Sequence, residues 1–117
     1  MADSVLVLGG YQTDFARHVG REGKTIGALV EETVRGTLEA AQIDAVDVGT
    51  IHVGNAFGEL FTGQAHLGAM PASVVPELWG VPAMRHEGAC ASGSLAVLAA
   101  AAGSPWRSRS PRASRCG

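Results

Sequence analysis

Hydrophobic and polar positions divide the first half of the chain into blocks that predict a strand, a helix and a second strand. Residues 5–8 are an unbroken apolar run closed by a glycine pair, a pattern typical of a strand covered on both faces in a parallel sheet. Behind Thr25, a candidate N-cap, apolar residues recur at helical spacing as far as Ala41 and predict an amphipathic helix. Strand character returns at residues 48–53, and the intervening length suits a right-handed crossover. The sheet is therefore predicted to be parallel.

The second half continues the alternation of loop, helix and strand. Glycines punctuate residues 54–68, which predicts a loop that leads into a helix. Residues 71–78 form a candidate helical segment that Gly80 can end, and residues 81–86 are a third candidate strand. Residues 90–102 are small and apolar on every side, so they predict a helix buried all round in the middle of a larger domain. The whole pattern predicts the α/β class.

Composition limits the size of the core and the kinds of partner. With 117 residues and 46% apolar content, the chain is long enough for one small domain. A formal net charge of −2 supplies no basic field, so neither nucleic acid nor an anionic membrane is expected, and a small molecule is the favoured partner. The apolar run at residues 95–102 is far shorter than the roughly 20 residues of a membrane span. Two cysteines and no leader of charged and then apolar residues predict a cytoplasmic protein.

The composition changes abruptly at Gly103 and separates two predicted units. Residues 1–103 form the candidate domain, whereas residues 104–117 contain four arginines and no acidic residue and are predicted to be disordered. One interpretation of this tail is a solvated basic arm that contacts RNA or an acidic protein. The favoured hypothesis is a shifted reading frame that truncates the domain, because a fully apolar helix runs directly into an Arg/Ser/Pro tract.

Cys90 is the candidate nucleophile. It directly follows a predicted strand and begins a predicted helix, where unpaired backbone N–H groups and the positive end of the helix dipole favour a thiolate. The small residues around it allow a substrate to approach the sulfur, and the Cys90 backbone N–H is a candidate oxyanion donor. The alternative is an inert, buried cysteine among alanines, and spacing alone does not decide between the two.

Several segments resemble the thiolase family. Residues 87–96 resemble its nucleophile segment, whose core is Cys-Ala-Ser-Gly, and residues 10–17 resemble the turn after its first strand. Further similarity lies at residues 52–56 and 64–68, so the resemblance covers residues 4–102 and is closest to the acetyl-CoA acetyltransferase or sterol-carrier-type branch. It implies the first part of a layered α/β/α domain with a mostly parallel sheet.

The resemblance also implies a reaction. In this family a cysteine thiolate, here Cys90, takes an acyl group from a coenzyme A thioester, in condensation or in thiolytic cleavage of 3-ketoacyl-CoA. Coenzyme A thioester is then a substrate, with no bound cofactor and no metal expected. A homo-oligomer and a place in lipid metabolism are implied in the same way.

The acid–base groups of the family cannot be matched in this chain. Thiolases use a histidine from the C-terminal half and a second cysteine, whereas Cys116 lies in the basic tail and is interpreted as incidental. His86, four residues before Cys90, is a weaker candidate base, and no spacing of the histidines indicates a metal. The competing hypothesis is therefore a truncated, inactive remnant with no turnover.

Overall fold

The structure is a computed structural model that describes residues 4–103. The predicted disorder of residues 104–117, and the interpretation of Cys116, lie outside the described residues. Helices and strands alternate within the described part, which confirms the predicted α/β class. They are the helices α1 (Ile26–Ala41), α2 (Gly58–Thr62), α3 (Met70–Val74) and α4 (Ser92–Ala102) and the strands β1 (Ile51–Gly54) and β2 (Ala83–His86).

The sheet consists of β1 and β2, which pair in parallel. Ile51 lies opposite Ala83 and Gly54 lies opposite His86. The N–H of Asn55 donates to the carbonyl of His86 at 3.1 Å, so the hydrogen-bond ladder continues one residue past β1. The predicted parallel arrangement is confirmed for the second and third candidate strands, although each begins later than expected.

The prediction of a first strand at residues 5–8 is wrong for this structure. The segment forms no strand, and its four residues are between 62% and 89% exposed. An apolar run becomes a strand only where a neighbouring strand completes its hydrogen bonds, and neither β1 nor β2 pairs with this one. The crossover predicted from this segment to the next strand is therefore not formed either.

Helix α1 confirms the prediction made from its periodicity and its cap. The Thr25 hydroxyl accepts a hydrogen bond from the Ala28 N–H at 3.3 Å, as an N-cap does. At the other end Gln42 adopts the left-handed conformation, with φ of 54°. The N–H of Ile43 then donates to the carbonyl of Leu38 at 3.0 Å, a bond that closes the helix end.

The predicted helical segment at residues 71–78 is split by a proline. Val75 before Pro76 is extended, with φ of −119° and ψ of 92°, because a residue that precedes proline is disfavoured in the helical region. Helix α3 therefore ends at Val74, and a 3-10 turn at Pro76–Leu78 follows. Gly80 then takes a φ of 83°, as expected of the residue that ends the segment.

The buried core is small and lies beside α3 and the start of α4. Its apolar residues are Leu67, Val75, Leu78 and Ala96. Helix α3 packs on α1, whereas α4 packs mainly on β1. No helix in the described part of the chain is both long enough and apolar enough to cross a membrane.

Helix α4 forms as predicted, but it is not buried on every side. Ser92 and Ala96 face the sheet and are buried, whereas Val97 and Leu98 are each 65% exposed. The predicted burial fails because α4 packs against the two strands on one side, and no other layer of the described residues covers its remaining faces.

Candidate functional site

Cys90 lies in the connection between β2 and α4. A 3-10 turn at Ala89–Ala91 contains it, and α4 begins at Ser92, so the structure places it at the strand-to-helix position predicted from the sequence. Its side chain is exposed rather than buried among alanines. The first N–H groups of a helix have no acceptor within the helix, and the dipole there favours negative charge. The connection therefore offers a solvent-accessible thiol just before the first turn of α4.

The backbone immediately before Cys90 is unusual. Ala89 has a φ of 50°, in the left-handed region that residues with a Cβ rarely occupy. Gly88 before it has a φ of −165° and a ψ of 47°. The Ala89 N–H donates to the Glu87 carboxylate at 2.6 Å. This sharp turn redirects the chain from the direction of β2 to that of α4.

Ser92 is a site residue that the sequence pattern did not indicate. Its hydroxyl accepts a hydrogen bond from the Gly88 N–H at 3.0 Å and donates one to the Ala89 carbonyl at 2.7 Å. The residue is only 5% exposed. The available signal was a serine in the first turn of a helix, but such a serine usually caps N–H groups further along, so the contact with the preceding turn was not predictable.

Gly54 brings the end of β1 against the start of α4. A Cβ at this position would lie 2.7 Å from the Gly93 nitrogen and would also overlap the Ser92 carbonyl oxygen. Only glycine permits the strand and the helix to approach this closely. The sequence pattern predicts only the end of a strand near Gly54 and does not indicate this role, since the contact joins segments that are distant along the chain.

His52 and His86 form a stacked pair across the two strands. Nδ1 of His52 lies 2.9 Å from Nε2 of His86, and the ring centroids are 5.1 Å apart. Nε2 of His52 is buried and has no hydrogen-bond partner among the described residues. Burial, and then the neighbouring His86, lower the pKa of His52 below its usual value of 6.5. Nε2 of His86 is thus directed at His52. No hydrogen bond joins His86 to Cys90 within residues 4–103.

A surface depression of about 490 Å³ lies beside β2. Its lining consists of Ala65, His66, Ala83, Met84, Arg85, His86 and Glu87. It joins the glycine-punctuated loop to the strand that leads to Cys90, but Cys90 itself does not line it. No group of three or more His, Cys, Asp or Glu residues is placed to hold a metal ion in the part of the chain that the structure describes.

Curated proteins match the chain, and two of them are described by the same name. One, from Methanocaldococcus jannaschii and named acetyl-CoA acetyltransferase, is 40% identical over 96 residues, which are 80% of this chain and 23% of the relative. Another of the same name, from Methanothermobacter thermautotrophicus, is 35% identical over 69 residues, which are 59% of this chain and 18% of the relative. No family model matches. The matched region thus spans less than a quarter of the length of either relative.

Proposed function

We propose that this chain belongs to the thiolase family and that Cys90 is the nucleophile of an acyltransferase acting on coenzyme A thioesters. The observation that carries the proposal is the exposed Cys90 thiol in the turn that starts α4, within the run Cys-Ala-Ser-Gly. Both curated relatives are named for acetyl transfer from coenzyme A thioesters. Their names support the substrate class.

The proposed first step is a transfer of the acyl group to sulfur. The Cys90 thiolate attacks the thioester carbonyl, and the oxygen of the tetrahedral intermediate carries the negative charge. The Cys90 backbone N–H, at the start of a helix, is the proposed donor to this oxyanion. The carbon–sulfur bond to coenzyme A then breaks, and the released thiolate takes up a proton equivalent to the one that Cys90 gave up.

The finer features of the family belong to the same proposal. They are the layered α/β/α domain, of which the parallel pair of β1 and β2 with α4 against them would be a part, and the homo-oligomer. The location in the cytoplasm and the place in lipid metabolism follow only from this proposal. Condensation and thiolytic cleavage are the same path in opposite directions, so the acyl-Cys90 intermediate serves both.

The proposal is tested by incubating the purified chain with acetyl-CoA and mapping tryptic peptides by mass spectrometry. We expect an acetyl group on the peptide that contains Cys90, and no such product in Cys90→Ala. Cys116→Ser serves as the matched control and should acetylate as the parent does. Labelling of Cys90 no faster than that of the urea-unfolded chain would overturn the proposal.

A second candidate is acylation without turnover. It is favoured by the contact of His86 with His52, since no imidazole is hydrogen bonded to Cys90 in residues 4–103. Without a base near the sulfur, the intermediate would form once and persist. Release of coenzyme A from acetyl-CoA separates the two candidates: one equivalent per chain indicates the inactive remnant, and continuous release indicates an enzyme.

A further inference from the structure

The turn that presents Cys90 requires a contact that holds it. The left-handed region is unfavourable for a residue with a Cβ, so Ala89 would leave its φ of 50° unless its neighbours fixed it. The adjoining Gly88 has no Cβ to restrict it. The conformation of these two residues therefore sets the position of Cys90.

One buried hydroxyl, that of Ser92, bonds to both Gly88 and Ala89. The Ser92 hydroxyl accepts from the Gly88 N–H at 3.0 Å and donates its single proton to the Ala89 carbonyl at 2.7 Å. Because Ser92 is 5% exposed, water competes little for either bond. The Glu87 carboxylate also bonds the Ala89 N–H, but it does so in an exposed place where water is an alternative acceptor.

Ser92 is itself held in place from the opposite side. Its carbonyl lies against Gly54 at the end of β1, at a distance that leaves no room for a Cβ. The sheet thus fixes the backbone of Ser92, and the hydroxyl of Ser92 fixes the turn. This sequence of contacts runs from β1 to the residue immediately before Cys90.

We propose that Ser92 is a positioning residue for Cys90, an inference that rests on the proposed role of Cys90 as nucleophile. Its two hydrogen bonds keep Ala89 left-handed and so keep Cys90 in the turn that begins α4. Without the hydroxyl, Ala89 relaxes to a common backbone conformation, and the Cys90 thiolate loses its favourable position at the positive end of the α4 dipole. Cys90 is already exposed, so the loss lowers its reactivity rather than raising its accessibility.

The test compares variants that differ in the hydroxyl alone. Ser92→Thr and Ser92→Val have the same shape, and only the threonine retains a hydroxyl. Ser92→Ala removes the hydroxyl without adding a methyl group, and Ser94→Ala removes an exposed hydroxyl from the same helix as a matched control. The rate of Cys90 alkylation by iodoacetamide is measured by peptide mapping in parallel with Cys90 acetylation by acetyl-CoA, with helical content followed by circular dichroism.

We expect Ser92→Ala and Ser92→Val to alkylate Cys90 about threefold to fivefold more slowly than the parent, the size of a lost interaction with a helix N-terminus. Ser92→Thr retains the hydroxyl and Ser94→Ala leaves Ser92 intact, so both should stay within about twofold of the parent. If Ser92 acted only in folding, its substitution would leave the rate of Cys90 alkylation unchanged, or would raise it as the chain unfolds. Equal rates for the valine and threonine variants would overturn the proposal.

The two reagents separate this inference from the proposed function. Iodoacetamide needs no binding of coenzyme A, so its rates report on Ser92 even if acetyl-CoA does not label Cys90. Absence of acetylation in the parent chain, with the iodoacetamide pattern as expected, contradicts the proposed function and leaves Ser92 as a positioning residue for the thiol.

Discussion

At the scale of single residues, the stacked histidines place a restriction on protonation. Nδ1 of His52 lies 2.9 Å from Nε2 of His86. In a hydrogen bond between them, one nitrogen must donate and the other must accept. If both rings were protonated, two N–H groups would face each other with no acceptor between them. Protonation of both rings at once is therefore unfavourable. Burial, and then the neighbouring His86, lower the pKa of His52.

This restriction predicts a dependence of stability on pH. In the unfolded chain His52 titrates near its usual value of 6.5, whereas in the folded chain its pKa lies lower because of burial and then His86. Between these two values the unfolded state binds more protons, so the free energy of unfolding falls as the pH drops below about 6.5. Urea unfolding from pH 8 to pH 5 measures this slope.

His52→Gln should weaken the dependence, because glutamine does not titrate. His66→Gln is the control, since His66 is exposed and is not part of the pair, and it should keep the slope of the parent. If His52→Gln and the parent lost stability equally on acidification, another group would be responsible.

At the scale of elements, the approach of β1 to α4 fixes the site. Gly54→Ala places a methyl group in the volume of the Ser92 carbonyl, and overpacking of this kind costs about 1–3 kcal/mol. We expect a lower midpoint in urea unfolding and slower acetylation of Cys90. Gly10→Ala is the matched control, because a Cβ at Gly10 meets nothing within 4 Å. Unchanged stability in Gly54→Ala would show that the strand and the helix are further apart.

The elements also show what the sequence could predict. Helix α1 was predicted correctly because its periodicity, its cap at Thr25 and its bonds are all local. Residues 5–8 have an equally clear pattern, but a strand needs a neighbour, and the pattern does not tell which segment supplies it. The position of Cys90 was predictable from its local pattern, whereas its role as nucleophile stays a prediction that rests on resemblance. The contacts of Ser92 with the turn and with Gly54 depend on how the segments pack, so no local pattern shows them.

At the scale of the whole molecule, exposed apolar surface is the dominant feature. Helix α4 leaves Val97 and Leu98 each 65% exposed, and residues 5–8 are exposed as well. Soluble monomers rarely tolerate contiguous apolar patches above a few hundred Å². Surface of this kind favours contacts between molecules.

We therefore expect the chain to associate as its concentration rises, as measured by sedimentation velocity. Leu98→Glu should shift the distribution toward monomer, since it places a charge in the exposed face of α4. Val46→Glu also places a charge at an exposed apolar residue, but outside α4, and should have a smaller effect. A parent chain that stays monomeric at all concentrations would contradict this expectation.

The close approach at Gly54 also links the variation of two distant positions. A side chain at Gly54 fits only if the backbone at Ser92 withdraws, and the hydroxyl of Ser92 then loses the geometry that holds Ala89. Substitutions at the two positions are therefore epistatic, since the effect of one depends on the residue present at the other. Among diverging homologues, a departure from glycine at the strand end should be accompanied by a changed residue at the helix start.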